Sequence, residues 1–258
     1  MTPYHQFVAY RTILRKEIRR FTRIWVQTLI PPIITISLYY VIFGTLIGSR
    51  IGTMGGVEYM AFVVPGLVMM AVINNSYSNV VSSFYSAKFT KSIEELQVSP
   101  TPNYIILLGY VSGGALRGLL VGVLVICISF FFTELRIEHP LITISVILLT
   151  AILFSIAGLI NAVYANSFDD ISIIPTFVLT PLTYLGGVFY SISLLPEFWQ
   201  NVSLINPVLY MVSTFRYGML GGEADVNIIA AFTGMVLFLI VAFGYGLYLL
   251  EKSQRLRS

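Results

Sequence analysis

The chain has 258 residues, of which 57% are hydrophobic and 10% charged, with a formal net charge of +3. A soluble domain carries roughly 25% charged residues, so this composition, with a mean hydropathy of +0.85, excludes an ordinary soluble protein. The excess of bases is too small to suggest nucleic-acid binding, and the single cysteine, Cys127, excludes disulfides within the chain and cysteine-based metal sites.

Residues Tyr4–Arg23 set Phe7, Leu14, Ile18 and Phe21 against bases at positions 11, 15, 19 and 20. This is the pattern of a basic amphipathic helix lying in the membrane interface. No small-residue cleavage site follows it, so the first span is expected to serve as its own insertion signal. Six spans are then predicted near Ile24–Ile47, Tyr59–Val81, Tyr104–Phe132, Leu141–Ala165, Ile171–Ser191 and Ile228–Leu250. Each can cross a hydrocarbon core of ~30 Å, which takes about 20 helical residues. Pro31-Pro32 should kink or unwind the first span. The third is longer than needed and should tilt or project from the bilayer.

Bases gather on one side. Arg11, Arg15, Lys16, Arg19, Arg20 and Arg23 precede the first span, Lys88 and Lys91 lie in the second loop, and Lys252, Arg255 and Arg257 form the tail. The opposite loops hold Arg50, Arg136 and Arg216. The positive-inside rule therefore predicts that both termini and the second loop are cytoplasmic.

The second loop, residues 84–102, predicts a short exposed helix over Ala87–Val98, stopped by Ser99-Pro100 and Pro102. Lys91, Ile93, Glu94, Glu95 and Leu96 give it mixed faces, suited either to docking in a partner's groove or to a solvated connection. In the second span Asn75, Asn79 and Ser82 share a face, and in the fifth Thr176, Thr180 and Tyr184 do likewise. Such faces either glue helices or line a cavity. Arg117 is the one charge deep in a span, beside the row Gly114, Gly118, Gly122 that permits close helix approach. It is equally a candidate for a substrate contact or for capping carbonyls and lipid headgroups, with Asp169 and Asp170 as possible partners. Leu179–Arg216 stays apolar through Gly186-Gly187, breaks at Pro196 and resumes at Asn206-Pro207. Backbone broken at membrane depth is tolerated only where protein or water satisfies it, so a partly re-entrant stretch over 192–207 is predicted.

No catalytic constellation stands out. His5 and His139 have no nucleophile or metal-ligand partner at useful spacing, and no Gly-Lys-Ser/Thr phosphate loop is present. Energy for transport must then come from an ion gradient or a partner subunit.

The segments RIWVQTLIPP, FVVPGLVMM, KSIEELQVSP and FDDISIIPTFVLTPLTYLGGVFYS, in that order and spacing, resemble the permease subunits of type 2 ABC exporters, and most closely their YadH-type inner-membrane subgroup in Gram-negative bacteria. Leu179, Leu182 and Leu185, then Gly186, Val188, Leu195-Pro196, Pro207, Tyr210 and Arg216, fit the family's characteristic segment, with Val208 a conservative departure. The resemblance covers essentially the whole chain. It implies an all-α integral membrane protein of one domain over residues 1–258, with six spans, an interfacial helix over 4–23 and short re-entrant helices between spans five and six. It also implies a homodimeric permease in membrane lipid that itself binds neither metal nor cofactor. Two copies of a separately encoded ATPase would supply ATP and Mg, coupled through Lys91, Ile93, Glu94, Glu95 and Leu96. Gly186, Gly187, Pro196, Pro207 and Arg216 would belong to the outer gate. An ion-driven transporter predicts mid-membrane acids, of which the sequence offers none, and a non-transporting assembly factor leaves the broken segment unexplained.

Overall fold

The computed structural model describes residues 1–135, 137–222 and 224–252, so the counted bases Arg136, Arg255 and Arg257 lie outside the described residues. Helix α1 covers Pro3–Arg23, opened by Pro3 and by the Thr2 hydroxyl, which accepts the His5 amide. The chain turns at Ile24 into α2, Trp25–Ile51, whose second half, Tyr40–Ile47, is wound as a π-helix. A two-residue Gly55-Gly56 turn with both φ positive closes a small hairpin, Thr53–Met54 against Val57–Glu58.

Next come α3 (Tyr59–Phe89), α4 (Ser92–Val98), α5 (Asn103–Ser129) and α6 (Pro140–Tyr164). A helical stretch over residues 170–184, α7, contains a π-turn at Pro175–Leu179. After a 3₁₀ turn at Ile192–Leu194 follow α8 (Glu197–Ile205), α9 (Pro207–Leu220) and α10 (Ile228–Lys252). Among the described residues five helices are long and apolar enough to cross a membrane: α2, α3, α5, α6 and α10.

The predicted fifth span differs. Residues 170–184 make only about 22 Å of helix at 1.5 Å per residue, and residues 185–191 continue without regular structure. Gly187, at φ 70°, occupies a left-handed position that favours glycine. The segment nevertheless joins the two ends of α3. Phe168 packs on Phe89 and Tyr85, whereas the Phe189 carbonyl accepts the Tyr59 hydroxyl at 3.0 Å.

Helix α3 is the axis of the bundle and is buried along nearly its whole length. Glycines let its neighbours reach its backbone. A Cβ at Gly114 would lie 3.0 Å from the Ser76 carbonyl oxygen, and one at Gly122 2.7 Å from Val72. On α6, a Cβ at Gly158 would lie 2.6 Å from the Tyr77 carbonyl oxygen. A second glycine pair on α5, Gly109 and Gly113, receives Ile13 and Glu17 of α1. The inward positions of α1 are thus Ile13, Glu17 and Phe21, while Phe7 is exposed and Leu14 and Ile18 only half-buried.

Gly158→Leu would drive a side chain into the α3 backbone, which cannot give way. We expect a loss of about 3 kcal/mol, the upper end of overpacking costs, read as a lower melting temperature in detergent.

Candidate functional site

Three groups of side chains stand at different levels of the bundle. At one end, α3 stops at Phe89 and the chain reverses through Lys91, which adopts φ 59°, into α4. The exposed helix is therefore shorter than the predicted Ala87–Val98, because residues 87–89 still belong to the span. Lys91 and Glu95 are exposed, Glu94 and Leu96 half-buried, and Ile93 fully buried, anchoring the helix to the bundle. Phe89 and Val98, absent from the predicted set, are the exposed apolar groups beside them, at 65% and 88%. Lys88 folds back to donate to the Val163 and Ala165 carbonyls (3.0 and 2.8 Å), capping α6 where cations favour a helix C-terminus.

Further along α3 lies a polar cluster under α1. Fully buried Glu17 accepts the Ser83 hydroxyl at 2.7 Å and pairs with Arg20 at 3.4 Å. Arg20 donates to both the side-chain and main-chain oxygens of Asn79 at 2.7 Å. Arg117 donates to the Asn75 side-chain oxygen at 3.3 Å. The partners proposed from sequence, Asp169 and Asp170, are not near it: Asp170 instead accepts the Asn166 and Ser167 amides. The acid beside this cluster is Glu17, which the sequence pattern did not single out. Ser82 meets the same guanidinium as Asn79, accepting the Arg20 side chain at 3.4 Å, but is only half-buried. It belongs to a half-exposed stripe with Asn74 and Ser78, where Asn74 and Ser82 donate to the carbonyls four residues back.

On α7, Thr176, Thr180 and Tyr184 are exposed on one side, among exposed Ile173 and Phe177. Tyr184 also joins Tyr39, Phe43 and Phe189 in an aromatic cluster that ties α2 to the break. Phe43 and Phe189 stack at 4.6 Å.

The broken segment is held by two side chains. Asn206, buried, accepts the Val208 amide to start α9 and donates to the Leu182 carbonyl at 2.6 Å, while Pro207 takes the first helical position, where its missing donor costs nothing. Gly186 abuts Val208: a Cβ there would lie 2.8 Å from its side chain. Pro196 is exposed ahead of α8. Arg216 is not in a loop, as its place in the charge count assumed, but 93% buried inside α9. It donates to the Gly187 carbonyl (2.6 Å) and the Phe62 carbonyl (3.2 Å), stacks 3.8 Å over the Phe62 ring and pairs with Asp225 at 3.5 Å. Asp225 also accepts the Ser191 hydroxyl at 2.7 Å. One guanidinium thus ties α3, the break, α9 and the approach to α10. Its fork reaches several acceptors at once, which a lysine cannot do.

Between α10 and residues 174–182 of α7 lies an apolar cavity of about 590 Å³, reaching from Tyr245 to Pro207. It has no charged lining residue among those described.

Arg216→Gln should lower the melting temperature by the loss of at least one charge-assisted hydrogen bond, about 1.5–3 kcal/mol. Arg216→Lys should recover only part of it.

The family model described as ABC-2 type transporter matches residues 8–220. The chain is 55% identical over 252 residues to the inner membrane transport permease YadH of Escherichia coli K12, covering 98% of each. It is 25% identical over 220 residues to nodulation protein J of Sinorhizobium fredii, covering 84% of this chain and 82% of that protein. A likeness of that extent, on a bundle of membrane-length helices, decides the matter: the chain belongs to the ABC-2 type transporter family, as a membrane permease subunit of an ABC exporter.

Proposed function

We propose that this subunit, in a bacterial inner membrane with both termini cytoplasmic, opens and closes a path at a homodimer interface when two copies of a separate ATPase bind and hydrolyse ATP with Mg. The single observation that carries this reading is α4: a short helix anchored by buried Ile93 at the end of the most buried span, presenting Lys91, Glu95, Phe89 and Val98 outward. A push on α4 passes into α3 through the Lys91 turn, and from α3 into α5 across the glycine contacts. Such coupling requires a contiguous packed element with two arrangements, and α3 supplies the packing.

In this reading residues 170–191 make a sixth crossing, part helix and part irregular backbone. Residues 196–220 then form a re-entrant pair, α8 inward to Asn206 and α9 outward again. The support is geometric: Asn206 bonds to Leu182 within the bundle, whereas the far end of α9 receives the His139 amide at 2.9 Å beside the start of α6. Arg216 and its partners then hold the outer closure, and α1 lies along the cytoplasmic interface. Substrate recognition is unassigned. Glycans, lipids and drug-like compounds are the candidates to be tested.

The assembly reading is tested by co-purification with the ATPase. Lys91→Glu and Glu95→Arg, both on the exposed side of α4, should reduce recovery of the complex tenfold or more without changing the melting temperature. Unaltered recovery with intact transport would sink the coupling role. Separately, Arg117→Ala should abolish transport while assembly and ATPase binding persist. Loss of the folded chain would instead assign Arg117 to packing.

A further inference from the structure

The cluster beneath α1 does not balance. Arg20 and Arg117 contribute two positive charges, and Glu17 one negative. Among the described residues the ion pairs are Arg20–Glu17 and Arg216–Asp225, so Arg117 is held by a neutral amide alone. The charge that acts on it most is Arg20, of like sign. Three donors in the same place have no hydrogen-bond acceptor: the Arg117 Nε, the Asn79 side-chain Nδ2 and the Arg20 Nε, the last only paired at 3.4 Å with the likewise unbonded Glu17 Oε2, and Asn79 is wholly buried. A guanidinium withdrawn from water without a counter-charge, with donors unspent beside it, is a costly arrangement that an anion would relieve.

The level in the bundle says what sort of anion. Helix α1 crosses α5 at Gly109–Gly113, where Tyr10 bonds to Ser112 (3.0 Å) and Lys16 to Tyr110 (3.3 Å). Arg117 stands four residues further along α5, about 6 Å beyond that crossing at 1.5 Å per residue. Helix α5, at 27 residues, is about 40 Å long, some 10 Å more than a ~30 Å hydrocarbon core needs. Arg117 lies about 21 Å from the start of α5, towards the middle of that helix, and Arg20, bonded to Asn79 and Ser82 nearer the Phe89 end of α3, stands between Arg117 and the headgroup layer. Arg20, with 26% of its side chain exposed, opens the cluster to that layer. Forked guanidinium groups bind planar or tetrahedral oxyanions through paired hydrogen bonds, and phosphate is the oxyanion of that layer.

We propose that Arg20 and Arg117, with the Asn75 and Asn79 amides, form a binding site for a phosphate group, reached from the cytoplasmic membrane surface past Arg20 and carried by an amphiphile or free in solution. The site rests on the interfacial placement of α1 given above but not on transport, so a binding measurement separates the two.

The test is native mass spectrometry of the full chain in non-ionic detergent, titrated with short-chain phosphatidic acid, with diacylglycerol of the same chains, and with inorganic phosphate. Phosphatidic acid should bind at least tenfold more tightly than diacylglycerol. Arg20→Gln and Arg117→Gln should each weaken it tenfold or more, and Arg19→Gln, on the exposed side of α1, should leave it unchanged. Competition by inorganic phosphate at similar concentration would identify a free anion as sufficient; its failure to compete would identify the lipid-borne group. Equal binding of diacylglycerol, or unchanged affinity in both glutamine variants, overturns the proposal. Should the glutamine variants not fold, Arg117→Lys keeps the charge but loses the fork. It should weaken phosphatidic acid at least threefold, and unchanged affinity there overturns the proposal equally.

Discussion

Everything in this subunit is hung on the burial of α3, and that burial depends on glycine. Gly114, Gly118 and Gly122 of α5 and Gly158 of α6 bring two helices against the α3 backbone from different sides. In a bilayer the lipid tails are as apolar as leucine, so helices gain little from hiding apolar surface. Close van der Waals approach and interhelical polar contacts must hold them instead. Glycine at these positions supplies the close approach, because it removes the bulk that would hold the backbones apart. The outer helices α2 and α10 remain largely exposed, although Gly44 of α2 abuts the Met60 side chain of α3.

The same device is used a second time, for a different purpose. Gly109 and Gly113 cut a notch into α5 that admits α1, and the side chain entering it is a glutamate. Glu17 is tolerated there because Ser83 and Arg20 satisfy it, and Arg20 in turn is satisfied by Asn79. The leader helix is thus locked to α3 and α5 by polar bonds. A helix so attached moves with α3 rather than floating on the lipid surface.

The broken segment follows another rule. Residues 185–191 cannot satisfy their backbone groups within a helix, and in a low-dielectric setting each unpaired group is expensive. The side chains of Asn206, Arg216 and Tyr59 take over carbonyls of Leu182, Gly187, Phe62 and Phe189. The chain breaks where long polar side chains from other elements arrive to receive it.

Much of this was legible in the sequence. Five long apolar runs, the basic leader, the glycine row and the interruptions at Pro196 and Asn206-Pro207 are local patterns, and local patterns report helix length, register and termination directly. The predicted fifth span was not legible as it stands, because an apolar run from Ile171 to Ser191 does not reveal that its helix ends at Tyr184, where Gly186-Gly187 permits a turn that Val188 and Phe189 use to pack on α3. Nor were the fates of the charges legible. The apolar stripe of the leader passed over Glu17 and the charge count put Arg216 in a loop, yet each is buried by partners far away in the chain: Ser83 for one, Phe62 and Gly187 for the other. The sequence by itself determined which segments could lie in a membrane and where they could approach closely, since both follow from residue size and polarity along one element. Only the tertiary structure decided which polar groups go inside, since burying a charge depends on whether distant residues supply its hydrogen bonds, and no local pattern carries that information.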